Sequence, residues 1–256
     1  MITIIKDFYS PLDNDHRTIR IYTPPSYETG EKNYPVLYAF DGQNLFSHPE
    51  SAKYDTWCVN PTLERLYENK EIRREWIVVA VDHRIDRLTE YTFHPFPDAG
   101  ITEPMGLKTL RTFTDSIKPY IDSNYRTLKT AENTAIMGSS LGGLLSLFFG
   151  HKRPDIFGNI AAFSPTVSWS DWEILKLWNS KPALPVKIYL DVGTKEQFTT
   201  YGVYLDYPAA TDIFVNNLEK IGFNNKNLKY VVEEDAVHYE IDWARRFPGM
   251  AKFLLN

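Results

Sequence analysis

Short apolar runs of strand length alternate with longer segments of helical periodicity along most of the chain. Several of the short runs are apolar throughout, which is typical of strands that are covered on both faces. This alternation predicts βαβ units around a mainly parallel sheet. The runs predicted as strands span residues 2–8, 18–22, 36–40, 76–81, 134–137, 160–163, 186–191 and 228–232. We therefore expect an α/β fold, with a mostly parallel central sheet of about eight strands and helices on both faces.

The longer segments predict helices, and their ends carry recognisable signals. Pro119 should shorten or kink the second helix, and Gly222 ends the fourth. The first two strands are separated by turn-forming residues at 10–15, so we expect them to pair antiparallel. The predicted helices span residues 61–69, 106–121, 141–150, 210–221 and 240–254. No repeat or linker interrupts the pattern, which indicates a single domain over residues 1–256.

Composition and charge argue against several classes of binding partner. The net charge is −5 and the pI is about 5.7, so the chain lacks the basic surface that binds nucleic acid. No apolar stretch approaches the roughly 20 residues of a membrane helix, and the N-terminus does not resemble a secretory signal, so we expect a cytoplasmic protein. With one cysteine and no metal-ligand spacing among the six histidines, we predict no metal and no other cofactor.

The strongest local signal is the segment 135–143, AIMGSSLGG, in which an apolar strand runs through Gly-x-Ser-x-Gly into a helix. A sharp strand-to-helix turn needs residues without bulky side chains two positions on either side of its central serine. Gly138 and Gly142 occupy those positions around Ser140, whereas Ser139 has no such pair. The sequence therefore predicts the nucleophile elbow of an α/β-hydrolase fold, with Ser140 as nucleophile. The N–H of Leu141, at the start of the helix, would be one oxyanion donor.

A serine hydroxyl needs a general base, and in this fold the order along the chain is serine, acid, histidine. Only His151 and His238 follow the elbow. His151 lies at the far end of the helix that Ser140 begins, so His238, just after the last predicted strand, is the candidate base. The acid should follow the strand at 186–191, where Glu196 is the first choice, with Asp191 second and Asp235 third.

At this point the chain resembles the esterase D-like branch of the α/β hydrolases. That branch includes S-formylglutathione hydrolases, feruloyl and acetyl-xylan esterases, trilactone siderophore esterases and mycolyltransferases. The likeness spans almost the whole chain. Its markers are YPVLYAFDGQNLF at residues 34–46, the elbow at 138–143, Asp191-Val192-Gly193 with Glu196, and His238 followed by Trp243.

The resemblance implies further roles for individual residues. The residue after the Asp-Gly pair that follows the third strand supplies a second oxyanion N–H, which corresponds here to Gln43. An Arg-x-x-Glu-Tyr stretch matches residues 87–91 within a long loop, so Arg87, Tyr91 and also Trp169 are candidates for lining the substrate cleft. The alternative is that Arg87 pairs with Glu90 to hold the loop and that Trp169 packs in the core.

These features predict a serine carboxylic ester hydrolase that acts through an acyl-enzyme on Ser140. The substrate would be a small-molecule or carbohydrate-linked ester. Glu196 and the 41–43 segment differ from the usual pattern of S-formylglutathione hydrolases. Acyl transfer from the same acyl-enzyme and hydrolysis of a siderophore trilactone remain alternatives, although a catecholate trilactone should require several cations, for which only Arg84, Arg87 and Lys195 are available. A non-catalytic binding module would keep the fold without the chemistry. The sequence does not indicate an oligomeric state.

Overall fold

An eight-stranded sheet organises the chain. The computed structural model describes residues 1–11, 14–52 and 55–256. Strands occur in each of the eight predicted places, and a short hairpin adds two more. The strands are β1 (Ile2–Ser10), β2 (Asp15–Tyr22), β3 (Val36–Ala39), β4 (Ile77–Val81), β5 (Thr134–Ser139), β6 (Asn159–Phe163), β7 (Lys187–Gly193), β8 (Gln197–Thr200), β9 (Val203–Asp206) and β10 (Leu228–Glu233).

The large sheet has the order β1-β2-β4-β3-β5-β6-β7-β10. β1 pairs antiparallel with β2, as predicted, and β2 pairs antiparallel with β4. Every later pairing in this sheet is parallel. The turn expected at residues 10–15 includes Leu12 and Asp13, which lie outside the described residues. The predicted mostly parallel α/β architecture is confirmed, and its parallel strands bring their carboxyl ends to one edge, where ligands bind in open α/β sheets.

Helices cover both faces of this sheet. They are α1 (Val59–Glu68), α2 (Arg87–Tyr91), α3 (Gly106–Arg111), α4 (Lys118–Asn124), α5 (Leu141–Lys152), α6 (Trp169–Leu177), α7 (Tyr207–Lys220) and α8 (Glu240–Leu254). Alternate residues of the strands enter two separate apolar clusters: Tyr38 packs in one and Leu37 in the other. α1 and α8 cover one face, and α5 and α7 contribute to the other. In the described ranges, no helix is long and apolar enough to cross a membrane.

Several local features differ from the sequence prediction, including α2 and α6, for which no helix was predicted. The single helix expected over 106–121 is divided into α3, a π-helical turn (Thr112–Ile117) and α4. Pro119 lies in the first turn of α4, where its missing N–H disturbs the ladder of hydrogen bonds. α7 begins three residues before the predicted position 210, because the Asp206 carboxylate caps it by accepting from the Ala209 N–H at 3.0 Å. The β8–β9 hairpin was not predicted.

Candidate active site

The turn between β5 and α5 holds Ser140 in a backbone conformation that residues with side chains rarely adopt, with φ 57° and ψ −123°. The close approach of the two flanking glycines makes this turn possible. A Cβ on Gly138 would lie 2.5 Å from the carbonyl carbon of Gly142. The Ser140 N–H donates to the Phe163 carbonyl of β6 at 2.9 Å. The tight turn thereby fixes Ser140 at the carboxyl edge of the sheet, as the predicted elbow requires.

Glu196 and His238 meet beside this edge. Glu196 lies between β7 and β8 and is fully buried, and His238 lies in the loop between β10 and α8. His238 Nδ1 is 2.7 Å from Glu196 Oε2. A proton on Nδ1 that is donated to this carboxylate leaves Nε2 with a free lone pair, which is the form of histidine that acts as a general base.

The other oxygen of Glu196 is held by two donors. Its Oε1 accepts from the Ser164 hydroxyl at 2.8 Å and from the Gly193 N–H at 2.6 Å. The guanidinium of Arg246, on α8, lies 3.5 Å away. Hydrogen bonds and a nearby cation both favour the charged form of a carboxylate, which offsets the cost of burying it. Glu196 is therefore fixed in position and faces His238 with one oxygen only.

The two other candidate acids are placed differently. Asp191 is also fully buried on β7, but its Oδ1 accepts from the Ser164 N–H at 3.1 Å and its Oδ2 lies 3.3 Å from Arg246 Nε. Burial raises the pKa of Asp191 to about 7, with Arg246 opposing the shift. Asp235 is exposed and pairs with Lys195 at 2.7 Å. Of the three carboxylates, the structure brings Glu196 to the histidine.

Three aromatic rings surround the His238 imidazole. The ring centroids of Phe198, Tyr207 and Trp243 lie 5.3, 4.2 and 4.9 Å from that of His238, and Trp243 meets it edge-on at 88°. Only 13% of the His238 side chain is exposed. Such packing restricts rotation of the imidazole and limits the water around its bond to Glu196.

The Ser140 hydroxyl lies in a small polar cluster. Its Oγ is 3.4 Å from Thr166 Oγ1, which is itself 3.2 Å from the Tyr207 hydroxyl. Ser140 and His238 line the same two cavities, and within the described residues no hydrogen bond joins them. Catalytic hydrogen bonds in structures without substrate are often long and tighten when substrate binds.

Two cavities meet at Ser140, and their linings differ. The first, which we call the aromatic cavity, has a volume of about 200 Å³ and the second, the polar cavity, about 360 Å³. Ser140, His238 and Arg87 line both. The aromatic cavity is also lined by Leu88, Leu141, Thr166, Trp169, Phe198, Thr200, Tyr201, Leu205 and Tyr207. The polar cavity is also lined by Asp41, Gln43, Asn44, His83, Ser139, Glu240 and Trp243.

The predicted oxyanion donors lie on either side of Ser140. Leu141 is the first residue of α5 and lines the aromatic cavity, and Gln43 lies in the 3₁₀ turn Gly42–Asn44 and lines the polar cavity. Within the described parts of the chain, neither of their backbone N–H groups takes part in a hydrogen bond. Both donors are therefore available to a substrate oxygen at the edge of the sheet.

The candidates for substrate contact divide into two groups. Arg87 and Trp169 line the aromatic cavity as expected, and the Trp169 indole is fixed by a 3.0 Å bond to Thr92 Oγ1. Tyr91 lines neither cavity, because it is buried beneath the Arg87 guanidinium, which lies 4.8 Å above its ring. Its hydroxyl accepts from the Asp41 N–H at 3.2 Å. The expectation for Tyr91 is thus corrected from contact with substrate to support of Arg87.

The ion pairs around this loop also differ from the alternative considered from sequence. Arg87 pairs with Asp41 and not with Glu90, through bonds of 2.7 and 2.8 Å to the two carboxylate oxygens. Glu90 instead pairs with Arg17 and accepts from the Arg84 N–H at 2.7 Å. The two-point contact between Arg87 and Asp41 joins the turn after the third strand to α2. It also balances the negative charge of Asp41, two residues before the predicted oxyanion donor Gln43.

Several residues of the site carried no clear sequence signal. Ser164, Thr166 and Arg246 lie in segments of mixed polar and apolar residues, and nothing in their spacing indicates a contact with Glu196 or Ser140. The β8–β9 hairpin left one weak signal, the Tyr201-Gly202 pair between two short runs, which suits a two-residue turn. It supplies Phe198, Thr200, Tyr201 and Leu205 to the aromatic cavity.

The parallel sheet, the serine elbow and the buried glutamate–histidine pair define an α/β hydrolase. The family model described as "Putative esterase" matches residues 10–254, and the chain belongs to this family. It is a carboxylic ester hydrolase, which confirms the predicted class of enzyme.

Comparison with individual proteins agrees with this assignment. The chain is 25% identical over 246 residues to the uncharacterized protein YbbA of Bacillus subtilis, covering 93% of this chain and 92% of that protein. It is 26% identical over 204 residues to the ferri-bacillibactin esterase BesA of the same organism, covering 72% and 68%. The crystal structure of an IroE-like serine hydrolase from Shewanella oneidensis superposes with a TM-score of 0.78 at 17% identity, covering 100% of this chain and 80% of that one, and has the same fold.

Proposed function

We propose that the enzyme hydrolyses carboxylic esters in two steps through an acyl-enzyme on Ser140. The observation that carries this proposal is the 2.7 Å contact between Glu196 and His238, beside a serine in an elbow. Since Nδ1 faces Glu196, the free Nε2 is the nitrogen that takes the serine proton.

In the first step, Ser140 Oγ forms a bond to the ester carbonyl carbon while its proton passes to His238 Nε2. The N–H groups of Gln43 and Leu141 donate to the oxygen that becomes negative, and Glu196 stabilises the imidazolium. The intermediate collapses when the carbon–oxygen bond to the alcohol breaks, and His238 returns the proton to the departing alcohol.

In the second step, water takes the place of the alcohol. His238 accepts a proton from the water as its oxygen attacks the acyl carbon, and the same two N–H groups stabilise the second oxyanion. Collapse releases the carboxylic acid and restores the Ser140 hydroxyl. The same groups act in both steps, so one set of residues carries out the whole catalytic cycle.

Replacement of the nucleophile tests this proposal. Ser140→Ala should lower kcat/KM for p-nitrophenyl acetate at least about 1,000-fold, because the acyl acceptor is lost. Ser146→Ala is the matched control: this buried hydroxyl lies in α5, the helix that follows Ser140, and donates to the Gly142 carbonyl at 2.8 Å. A fluorophosphonate should add once to the native enzyme and not to Ser140→Ala. Unchanged turnover in a folded Ser140→Ala protein would refute the assignment.

The cavities favour an uncharged, partly apolar acyl group. The aromatic cavity is small, and its walls are mainly aromatic and aliphatic. In the described residues, Arg87 is the sole lysine or arginine that lines either cavity, and it is already paired with Asp41. Lys195, another cation considered from sequence, pairs with Asp235 outside both cavities. This charge balance supports neutral esters over a polyanionic catecholate trilactone. One of the relatives, BesA, is named as a ferri-bacillibactin esterase.

A substrate panel separates these alternatives. We expect acetyl, butyryl or feruloyl esters to exceed a catecholate trilactone in kcat/KM by more than about tenfold, a difference of about 1.4 kcal/mol in transition-state binding. The reverse preference would favour the trilactone alternative. Product analysis in the presence of an alcohol distinguishes hydrolysis from acyl transfer, since a transferase yields the new ester in preference to free acid.

A further inference from the structure

Ser164 is a buried hydroxyl at the carboxyl end of β6, directly behind the Glu196–His238 pair. Three groups surround its Oγ. The Trp243 indole N–H and an Arg246 N–H each donate to it at 2.9 Å, and Glu196 Oε1 lies 2.8 Å away. A hydroxyl oxygen has two lone pairs and one proton, so these three contacts use all that Ser164 offers.

The chemistry of the partners determines where that proton goes. Indole and guanidinium nitrogens donate hydrogen bonds and cannot accept them. Trp243 and Arg246 therefore occupy both lone pairs, and the only remaining acceptor for the Ser164 proton is Glu196 Oε1. Gly193 N–H donates to the same oxygen at 2.6 Å. A proton on Oε1 would face two donors, so Glu196 is held as a carboxylate with its free acceptor directed at His238.

We infer that Ser164 is a positioning residue that sets the direction of a chain of hydrogen bonds. Trp243 and Arg246 donate to Ser164, and Ser164 donates to Glu196. Glu196 also accepts from His238. The inference rests on the proposed function, since it assigns a purpose to the orientation of His238 in that mechanism. With Glu196 obliged to accept from both sides, the imidazole proton stays on Nδ1 and Nε2 remains the base. Ser164 lines neither of the two cavities at Ser140, and its hydroxyl proton goes to Glu196, so it acts through Glu196.

The effect on pH dependence has a definite sign. Donors to Glu196 stabilise its anionic form, and they therefore make the Glu196–His238 pair bind a proton less readily. Among the described residues, the charged or titratable groups around the pair are Arg246 and Glu240 from α8, Asp191 from β7, Tyr207 from α7, and Tyr230 and Glu233 from β10. Arg87 from α2, Asp41 and His83 line the polar cavity together with His238. Removing only the Ser164 hydroxyl leaves all of these in place. The unprotonated, active pair should then exist over a narrower range of pH.

The test is a pair of measurements on Ser164→Ala in the full-length enzyme. We expect kcat/KM at pH 7 to fall about tenfold and the acid limb of its pH profile to move up by about one unit. The same upward shift should appear when the His238 imidazole is titrated by ¹⁵N NMR in the resting enzyme. Ser146→Ala, which removes a buried hydroxyl that bonds the Gly142 carbonyl and not Glu196, should change neither the pH profile nor the titration.

Trp243→Phe provides a second variant, which keeps an aromatic ring beside His238 and the Ser164 side chain but removes one of the two donors. It should move the acid limb in the same direction by a smaller amount. A loss of activity with an unmoved acid limb and an unmoved His238 titration would show a merely structural role and overturn the inference. The NMR titration is independent of turnover, so it still reports on Ser164 if Ser140→Ala shows that the proposed mechanism is wrong.

Discussion

Asp191 at the end of β7 and Glu196 in the loop that follows it lie five positions apart, and both side chains are fully buried. Both lie near the same guanidinium, that of Arg246. They differ in their surroundings: Glu196 accepts a hydroxyl, a backbone N–H and the histidine, whereas the pKa of Asp191 is raised to about 7, chiefly by burial. Burial alone therefore does not bring a carboxylate to the histidine. The hydrogen-bond donors around Glu196 and the direction in which it faces set it apart from Asp191.

The largest effect should come from Glu196→Gln. The amide keeps the size of the side chain but loses the charge that stabilises the imidazolium, and its NH₂ group could face His238 Nδ1 and impose the wrong tautomer. We expect kcat/KM for p-nitrophenyl acetate to fall about 1,000- to 10,000-fold, measured with circular dichroism to verify folding. A reduction of less than about tenfold would transfer the role of acid to another carboxylate, with Asp191 first.

Asp191→Asn should act mainly on stability. A carboxylic acid whose folded pKa is raised stabilises the protein below its unfolded pKa, near 3.8, and this stabilisation is lost as the pH rises towards about 7. The amide does not titrate. The quantity to follow is the melting temperature of Asp191→Asn minus that of the native protein. This difference should therefore rise by about 3 °C or more between pH 4.5 and pH 8.

Activity provides the control for this comparison, because Asp191 does not contact His238. We expect kcat/KM of Asp191→Asn to stay within about tenfold of the native value. A loss as large as that of Glu196→Gln would mean that the two carboxylates act as one unit. A melting-temperature difference that is the same at every pH would contradict the raised pKa.

Asp235→Asn should have the smallest effect. Its side chain and that of Lys195 are both largely exposed, so water screens their ion pair. Asp235 has a left-handed backbone with φ 61°, a conformation that asparagine also tolerates. We expect kcat/KM to remain within about twofold of the native value. A greater loss would show that the loop carrying His238 depends on this pair.

Much of the fold was accessible from sequence because apolar periodicity reports burial directly. The parallel strands are buried on both faces, so runs such as 36–40 and 76–81 stand out from their surroundings. The π-helical turn before Pro119 was only partly accessible: proline predicted a disturbance but not its form. The β8–β9 hairpin was missed because its strands are four residues each and half exposed, which gives a weak pattern.

The residues of the candidate site also differ in how far the sequence could predict them. Ser140 has a local signal, since the strained turn needs glycines at fixed spacing, whereas Glu196 and Asp191 could be ranked but not separated without three-dimensional contacts. Ser164 and Arg246 are 82 positions apart, and their hydrogen bond depends on α8 packing against the strands. Tyr91 was misjudged because sequence places it in the correct loop but does not say which side of Arg87 it occupies.

The base of the β8–β9 hairpin is closed by a bond of 3.1 Å from the Tyr207 N–H to the Glu196 carbonyl. Residues 197–206 therefore leave and rejoin the rest of the protein at almost one point. The entropic cost of closing such a loop grows slowly with the number of residues in it. The tip of the hairpin, residues 199–204, can therefore be shortened, extended or exchanged with Glu196, α7 and the Phe198 ring against His238 kept in place. We expect such exchanges to change the lining of the aromatic cavity and leave the Glu196–His238 contact intact.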